Sequence, residues 1–309
     1  MSVTEAGNGM RSYYGRPVLK EPVWQPEIPA YFFTGGLAGA SSILGLAARI
    51  AGNETLARRA LYIGAAADLV SPPLLIADLG RPERFLNMFR VFKVTSPMSV
   101  GSWVLLVSGG ATSTAALLQW TGRLKPVMIA AKIVSSLAGG PLAVYTATLV
   151  SNTAVPVWHE ARQELPFLFG SSAVASAGAS AAIAVPPAEA GPARRLAVGG
   201  VLVENVLFEL MQKRLGMVGE PYSKGEAGRF RKIAMGCTLG GAALLARPGR
   251  RSRLAAVAGG ALVLAGELAV RWSVFRAGFQ SARDPRYTVE PQRERAQSRT
   301  APAPADGSV

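Results

Sequence analysis

Eight apolar runs separated by short polar stretches organise the chain, at residues 29–51, 57–77, 98–121, 127–150, 164–186, 194–215, 231–247 and 254–275. Most approach the roughly 20 residues that a helix needs to cross the hydrocarbon of a bilayer. The pattern predicts an all-α integral membrane protein, a bundle of about eight transmembrane helices. Two runs fit the pattern least well: the sixth carries Glu204 and Glu209, and the seventh is short. Breakers and charges fill the gaps, as at Gly52 to Arg59, Asp78 to Pro97, Ser151 to Glu164 and Gly216 to Lys232. Pro72-Pro73 is expected to break the second helix. Residues 1–27 form a polar N-terminal segment, 28–278 the bundle, and 279–309 a tail rich in Arg, Gln, Pro and Ser, expected to be disordered or bound to a partner. No apolar core with a small-residue cleavage site precedes the first run, so no cleaved signal peptide is expected. An even number of spans puts both ends of the bundle on one side of the membrane.

Composition agrees with a membrane bundle. Half the residues are hydrophobic and 17% are charged, with 34 glycines and 21 prolines, residues that helix crossings in lipid exploit or tolerate. A net charge of +14 raises nucleic acid as a partner, but the Lys and Arg residues sit in short segments between apolar runs, which argues for membrane lipid instead. The short loops after the first, third, fifth and seventh helices hold Arg58, Arg59, Arg123, Lys125, Arg194, Arg195, Arg250 and Arg251 with few acids. By the positive-inside bias these loops face the cytoplasm and both termini face outward. A single cysteine, Cys237, and a single histidine, His159, supply no ligand set for zinc, haem or an iron–sulfur cluster within this chain. Cys237, in an apolar run, reads as a small buried hydrophobe.

Candidate chemistry collects on the side carrying the termini. Tyr31 opens the first helix, Asp78 ends the second with Arg81 and Arg84 behind it, Ser102 and Trp103 begin the third, and Trp158, His159 and Glu160 follow the fourth. Tyr145, inside the fourth helix, lies only about 8 Å below the same surface at 1.5 Å per residue. Such a pocket can offer a hydroxyl or carboxylate to a lipid-soluble carbonyl while apolar walls hold its ring and tail. Each residue also has a plainer reading: Trp103 and Trp158 as interfacial anchors, His159 as a solvated loop residue. Ionisable groups inside spans are costly and need a reason. Glu209 with Lys213, and Glu267 with Arg271, are spaced to pair along their own helices, whereas Asp68, Lys132 and Glu204 lack such a neighbour. A proton route and structural pairing between helices both account for them.

The stretch Y-Y-G-R-P-V-L-K-E-P-V-W at Tyr13 to Trp24, then E-I-P-A-Y-F-F-T-G-G-L-A-G at Glu27 to Gly39, D-L-G-R-P-E-R-F at Asp78 to Phe85 and T-S-P-M-S-V-G-S-W at Thr95 to Trp103 resembles the NrfD/PsrC-type polysulfide-reductase membrane-subunit family. The resemblance implies a haem-free, metal-free subunit that exchanges electrons with a menaquinone or ubiquinone pool in a bacterial inner membrane. It further implies docking to a ferredoxin-like iron–sulfur subunit that serves a molybdopterin-type catalytic subunit. In the family an Asn, a His and a Tyr contact the quinone; here Ile28 and Tyr31 stand at the first two positions and Tyr145 at the third, with Glu27 a substitute acceptor. Asp78, His159, Asp68 and Glu204 are the proton-transfer candidates, and Arg81, Arg84 and Trp103 the candidates for partner docking. Two other readings stay open: a purely structural anchor, supported by the altered residues at Ile28 and Tyr31, and an ion-translocating transporter, supported by the buried charges.

Overall fold

The computed structural model describes residues 18–300. Tyr13 to Pro17 of the first motif and residues 301–309 of the tail lie outside them. Eight long helices coincide with the eight apolar runs: α1 (Glu27–Ile50), α2 (Glu54–Ala77), α3 (Pro97–Thr121), α4 (Lys125–Ser151), then, after a short helix α5 (Pro156–Glu160), α6 (Leu165–Ala184), α7 (Gly191–Leu215), α8 (Gly225–Ala246) and α9 (Arg253–Arg283). A further helix, α10 (Arg286–Thr300), follows.

Side-chain caps set several of the starts: Asn53, Ser96 and Ser252 accept the backbone N–H of Leu56, Ser99 and Ala255. Gly122 ends α3 in the left-handed conformation, with φ of 69°. The prolines at 72 and 73 do not break α2, which continues to Ala77. They remove the N–H groups that would bond the carbonyls of Asp68 and Leu69, and neighbouring helices hold the turn in place.

Six of the long helices are apolar enough on average to cross a membrane: α1, α2, α3, α4, α6 and α9. α7 and α8 miss that average because their charges are turned inward or toward the ends. Leu202, Val203, Val206 and Leu210 of α7 and Ile233 of α8 are exposed on the outer face, while Glu204 and Arg231 are buried. Average hydropathy cannot register which face a charge occupies.

α1 lies at the centre and packs on α2, α4, α6 and α9. Its crossing with α4 brings two backbones into contact: a Cβ on Gly39 would lie 2.3 Å from the Gly139 carbonyl oxygen. The core is graded along the bundle. Toward the loops after α1, α6 and α8 it is built of alanines such as Ala177, Ala181, Ala193 and Ala197. Those loops are tied together where Asn53 donates to the Glu189 carbonyl, and Arg194 and Arg253 to carbonyls of Pro187 and Val185. Toward the termini the core becomes aromatic, with Tyr31, Phe32, Trp158, Phe169, Phe208 and Tyr222.

The two ends of the bundle meet at that face through the Glu21–Arg283 ion pair at 3.0 Å. The boundary expected at 279 falls inside α9, because Phe275 and Phe279 continue its packing onto Trp158 after the apolar run is interrupted by Arg276, which pairs with Glu226 at 3.6 Å. α10 is joined to the bundle by Arg286, 2.8 Å from Glu220, and by the buried Tyr287.

Candidate functional site

The first two turns of α1 deliver Ile28, Tyr31 and Phe32 to one buried face. The Tyr31 ring meets Tyr145 of α4 edge-on, with centroids 6.4 Å apart. Tyr145 in turn occupies space left by Gly101 of α3, where a Cβ would lie 2.0 Å from a carbon of its ring. The Tyr31 hydroxyl is fully buried and has no hydrogen-bond partner among the described residues, and the same holds for Oε2 of Glu27. An unsatisfied buried hydroxyl costs about 1–3 kcal/mol. It is an uncommitted donor on a ring that touches Tyr145.

Trp24, Ile28, Asp78, Met98, Ser102 and Tyr145 line a small, partly open cavity of about 40 Å³. It adjoins a larger groove of about 350 Å³ between α2 and α3, with which it shares Leu75, Met88 and Ser102. The groove is almost wholly apolar, edged by the exposed Leu69 and Leu106 that face the surrounding lipid, and Asp68 forms part of its wall. Asp68 accepts a hydrogen bond from Ser108 at 3.4 Å, and its other oxygen has no partner among the described residues.

Asp78 caps the C-terminal end of α2 and accepts the Gln25 N–H at 2.7 Å, tying the segment before α1 to the rim of the cavity. Burial pushes its carboxyl above the ordinary aspartate range, the Gln25 bond offsets part of that, and the nearby Glu27 adds to the rise. Asp78 therefore holds its proton to a higher pH than a surface aspartate does. Arg81 and Arg84 are exposed on and beside the 3₁₀ turn Pro82–Phe89 at the same end. Trp103 is half-buried under this loop, with the rings of Phe89 and Phe92 edge-on at 5.8 and 6.2 Å, so it pins the loop to α3.

The structure thus brings together Glu27, Ile28, Tyr31, Asp78 and Tyr145, with Asp68 in the adjoining groove. His159 and Glu204 lie elsewhere. His159 lines a separate crevice of about 180 Å³ beneath α10, together with Thr153 and Tyr287. Glu204 lies mid-way along α7, beside Glu267 of α9. Trp158 is not an interfacial anchor: it is fully buried, donates its indole N–H to the Val274 carbonyl at 2.7 Å and stacks on Trp24 at 5.4 Å. Lys132 finds an inter-helix partner, donating to Gln119 at 2.6 Å.

Sequence reasoning missed three contributors. Trp24 and Gln25 precede the first apolar run, and Gly101 looks like one more small residue in a helix. The signal available for Gly101 was its place directly before Ser102 and Trp103, where a bulky neighbour needs room.

Residues 18–190, more than half of the chain, match the family model described as polysulphide reductase, NrfD. That stretch contains every residue that lines the tyrosine cavity and the groove. No curated protein matches the chain. With an all-α membrane fold and a family match across its first six helices, the chain belongs to the polysulphide reductase NrfD family of membrane subunits.

Proposed function

We propose that the chain is the quinone-reactive membrane subunit of a multi-subunit reductase, passing electrons between the menaquinone or ubiquinone pool and an iron–sulfur partner. One observation carries the reading: Tyr31, whose buried hydroxyl has no partner among the described residues, meets edge-on the ring of Tyr145, which lines a cavity sharing Leu75, Met88 and Ser102 with a lipid-facing groove. A quinone dissolved in the bilayer reaches an apolar groove without leaving hydrocarbon. A cavity of about 40 Å³ admits only waters, so Met88 and Met98 must turn aside to admit the ring, a movement suited to their three rotatable bonds.

In this reading Tyr31 and Tyr145 donate hydrogen bonds to the quinone oxygens. Asp78, with Glu27 beside it, supplies or removes the protons that accompany the electrons, because an apolar pocket does not hold the charge. Ile28 contributes wall rather than hydrogen bonding. One cysteine and one histidine give no ligand set for a redox centre in this chain, so electrons cross from outside. The loop from Asp78 to Pro97 supports docking of a ferredoxin-like iron–sulfur subunit, itself attached to a molybdopterin-type catalytic subunit. It exposes Arg81 and Arg84 among the apolar side chains of Leu86, Val91 and Phe92, the mixture found at interfaces. The basic loops on the opposite face support a bacterial inner-membrane placement with the termini outward.

A second reading, an anchor that holds the redox partners without touching quinone, draws on the small size of the cavity. Tyr145→Phe in the assembled complex separates the two. Loss of one neutral hydrogen bond, about 0.5–1.5 kcal/mol, is expected to lower quinone turnover or affinity roughly twofold to twelvefold. Unchanged turnover and affinity would favour the anchor.

A further inference from the structure

A groove of about 360 Å³ lies at the end of the bundle opposite the tyrosine cavity, between the last turns of α1 and the first turns of α4. Leu46, Ile50, Ile129 and Ile133 form its apolar walls, and Arg49 and Lys132 are its two charged residues. Ile50, Ile129 and Ile133 are exposed, so the groove opens on the outer surface of the bundle, which faces lipid in a membrane fold.

The position of the two cations along the bundle is fixed by their neighbours. Arg49 stands in the last turn of α1, where a cation also meets the carbonyl end of the helix dipole. Lys132 is two turns into α4, about 10 Å along the axis from Lys125. Its ammonium donates to Gln119 of α3 at 2.6 Å, toward the α3–α4 loop. The next residue, Trp120, is exposed near the end of α3, where tryptophans mark the boundary between hydrocarbon and headgroups. The lysine stem thus stays among the helices, with the residue 8% exposed, while its charge is carried to headgroup level.

Snorkelling accounts for one lysine but not for an arginine from a second helix converging on the same groove. Charge is left over there. Lys132 forms no ion pair among the described residues, and Gln119 offers a neutral oxygen to one of its three N–H donors. Arg49 pairs with Glu54 at 3.5 Å, but Glu54 is 68% exposed, and an exposed pair of this kind contributes little. Two cations against one solvated carboxylate leave a single positive charge above an apolar wall, the complement of one phosphodiester on an acyl chain. A zwitterionic lipid would bring its own cation toward Arg49 and Lys132, and a neutral quinone has no use for two of them.

We propose that this groove binds an anionic phospholipid of the adjoining leaflet, its phosphodiester held between Arg49 and Lys132 and the start of an acyl chain laid against Leu46, Ile129 and Ile133. The bound lipid ties together the ends of α1 and α4, and α3 through Gln119. The site does not depend on the quinone reading, since none of its residues lines the tyrosine cavity.

Native mass spectrometry of the full-length chain tests this, with phosphatidylglycerol and phosphatidylethanolamine of matched acyl chains and inorganic phosphate as probes. The wild type is expected to retain phosphatidylglycerol over phosphatidylethanolamine by roughly fivefold or more, the factor that one cation near the surface contributes toward an anionic lipid. Arg49→Gln and Lys132→Gln should each lower that preference severalfold, and Glu54→Gln, which removes the competing carboxylate, should raise it. Arg250→Gln with Arg251→Gln, two charges removed from the loop after α8 on the same face, should leave it unchanged. Millimolar phosphate should not displace the lipid, because it lacks the acyl chain. Equal retention of the two lipids by the wild type, displacement by phosphate, or the same loss in the Arg250 and Arg251 variant as in Lys132→Gln would each overturn the proposal. The wild-type comparison and the exposed Glu54→Gln decide the matter even if Lys132→Gln does not fold.

Discussion

Gly139→Val is expected to force α1 and α4 apart and to abolish quinone binding in a chain that remains helical and membrane-inserted. A Cβ at Gly139 would lie 2.5 Å from the Gly39 carbonyl oxygen, and the contact is backbone against backbone, so no side chain can turn aside. Even close C–H···O contacts between helices sit at roughly 3.3–3.6 Å, so the axes must separate by about 1 Å for the first added carbon alone. Overpacking of this kind costs about 1–3 kcal/mol, and more where backbone has to move. Tyr31 and Tyr145 lie on these two helices, both on the terminus side of the crossing, and their edge-on contact at 6.4 Å depends on that spacing. Circular dichroism should stay helical while binding of a quinone analogue is lost. Gly140→Ala, at a neighbouring position with nothing within 4 Å, should leave both unchanged.

Gly101→Ala is expected to be more damaging than removal of the Tyr145 hydroxyl. The added methyl would stand 2.0 Å from the Tyr145 ring, which must swing away and take both its hydroxyl and one wall of the cavity with it. Misplacing a positioning group by about 1 Å can cost on the order of a hundredfold in rate. Quinone turnover by the assembled complex should therefore fall by about that factor, well beyond the effect of Tyr145→Phe. Gly140→Ala, on α4 with open space around it, serves as the control here too. Equal effects of the two alanine variants would mean that Tyr145 is not held by this contact.

Much of the architecture was legible in the apolar runs, because in lipid each helix satisfies its own backbone and announces itself by length. α7 and α8 were the doubtful runs for a physical reason: Glu204 and Arg231 lower the average while facing inward. Pro72-Pro73 misled because helix-breaking rules come from water, where no neighbouring helix holds the turn. The tyrosine pair and Asp78 were legible as polar groups at helix ends on one face. What periodicity could not supply was which helices face one another. Spacing suggested that Glu267 would pair with Arg271, whereas the hydrogen bond it accepts comes from Ser172 on another helix. His159 was placed on the correct face but not in a crevice beneath α10, because the direction of a surface helix is not written in its composition. Gly101 was invisible for the opposite reason, since a glycine declares only that room is needed and not by what.

Photolabelling of the full-length chain in nanodiscs with an azidoquinone tests the central claim most directly. Saturable label, displaced by unmodified quinone, is expected on peptides around Trp24 to Tyr31, Met88, Met98 and Tyr145, and should fall away in Gly101→Ala. Label that does not saturate, or that settles on α7 to α9 and leaves those peptides clean, would contradict a quinone site at the tyrosine pair.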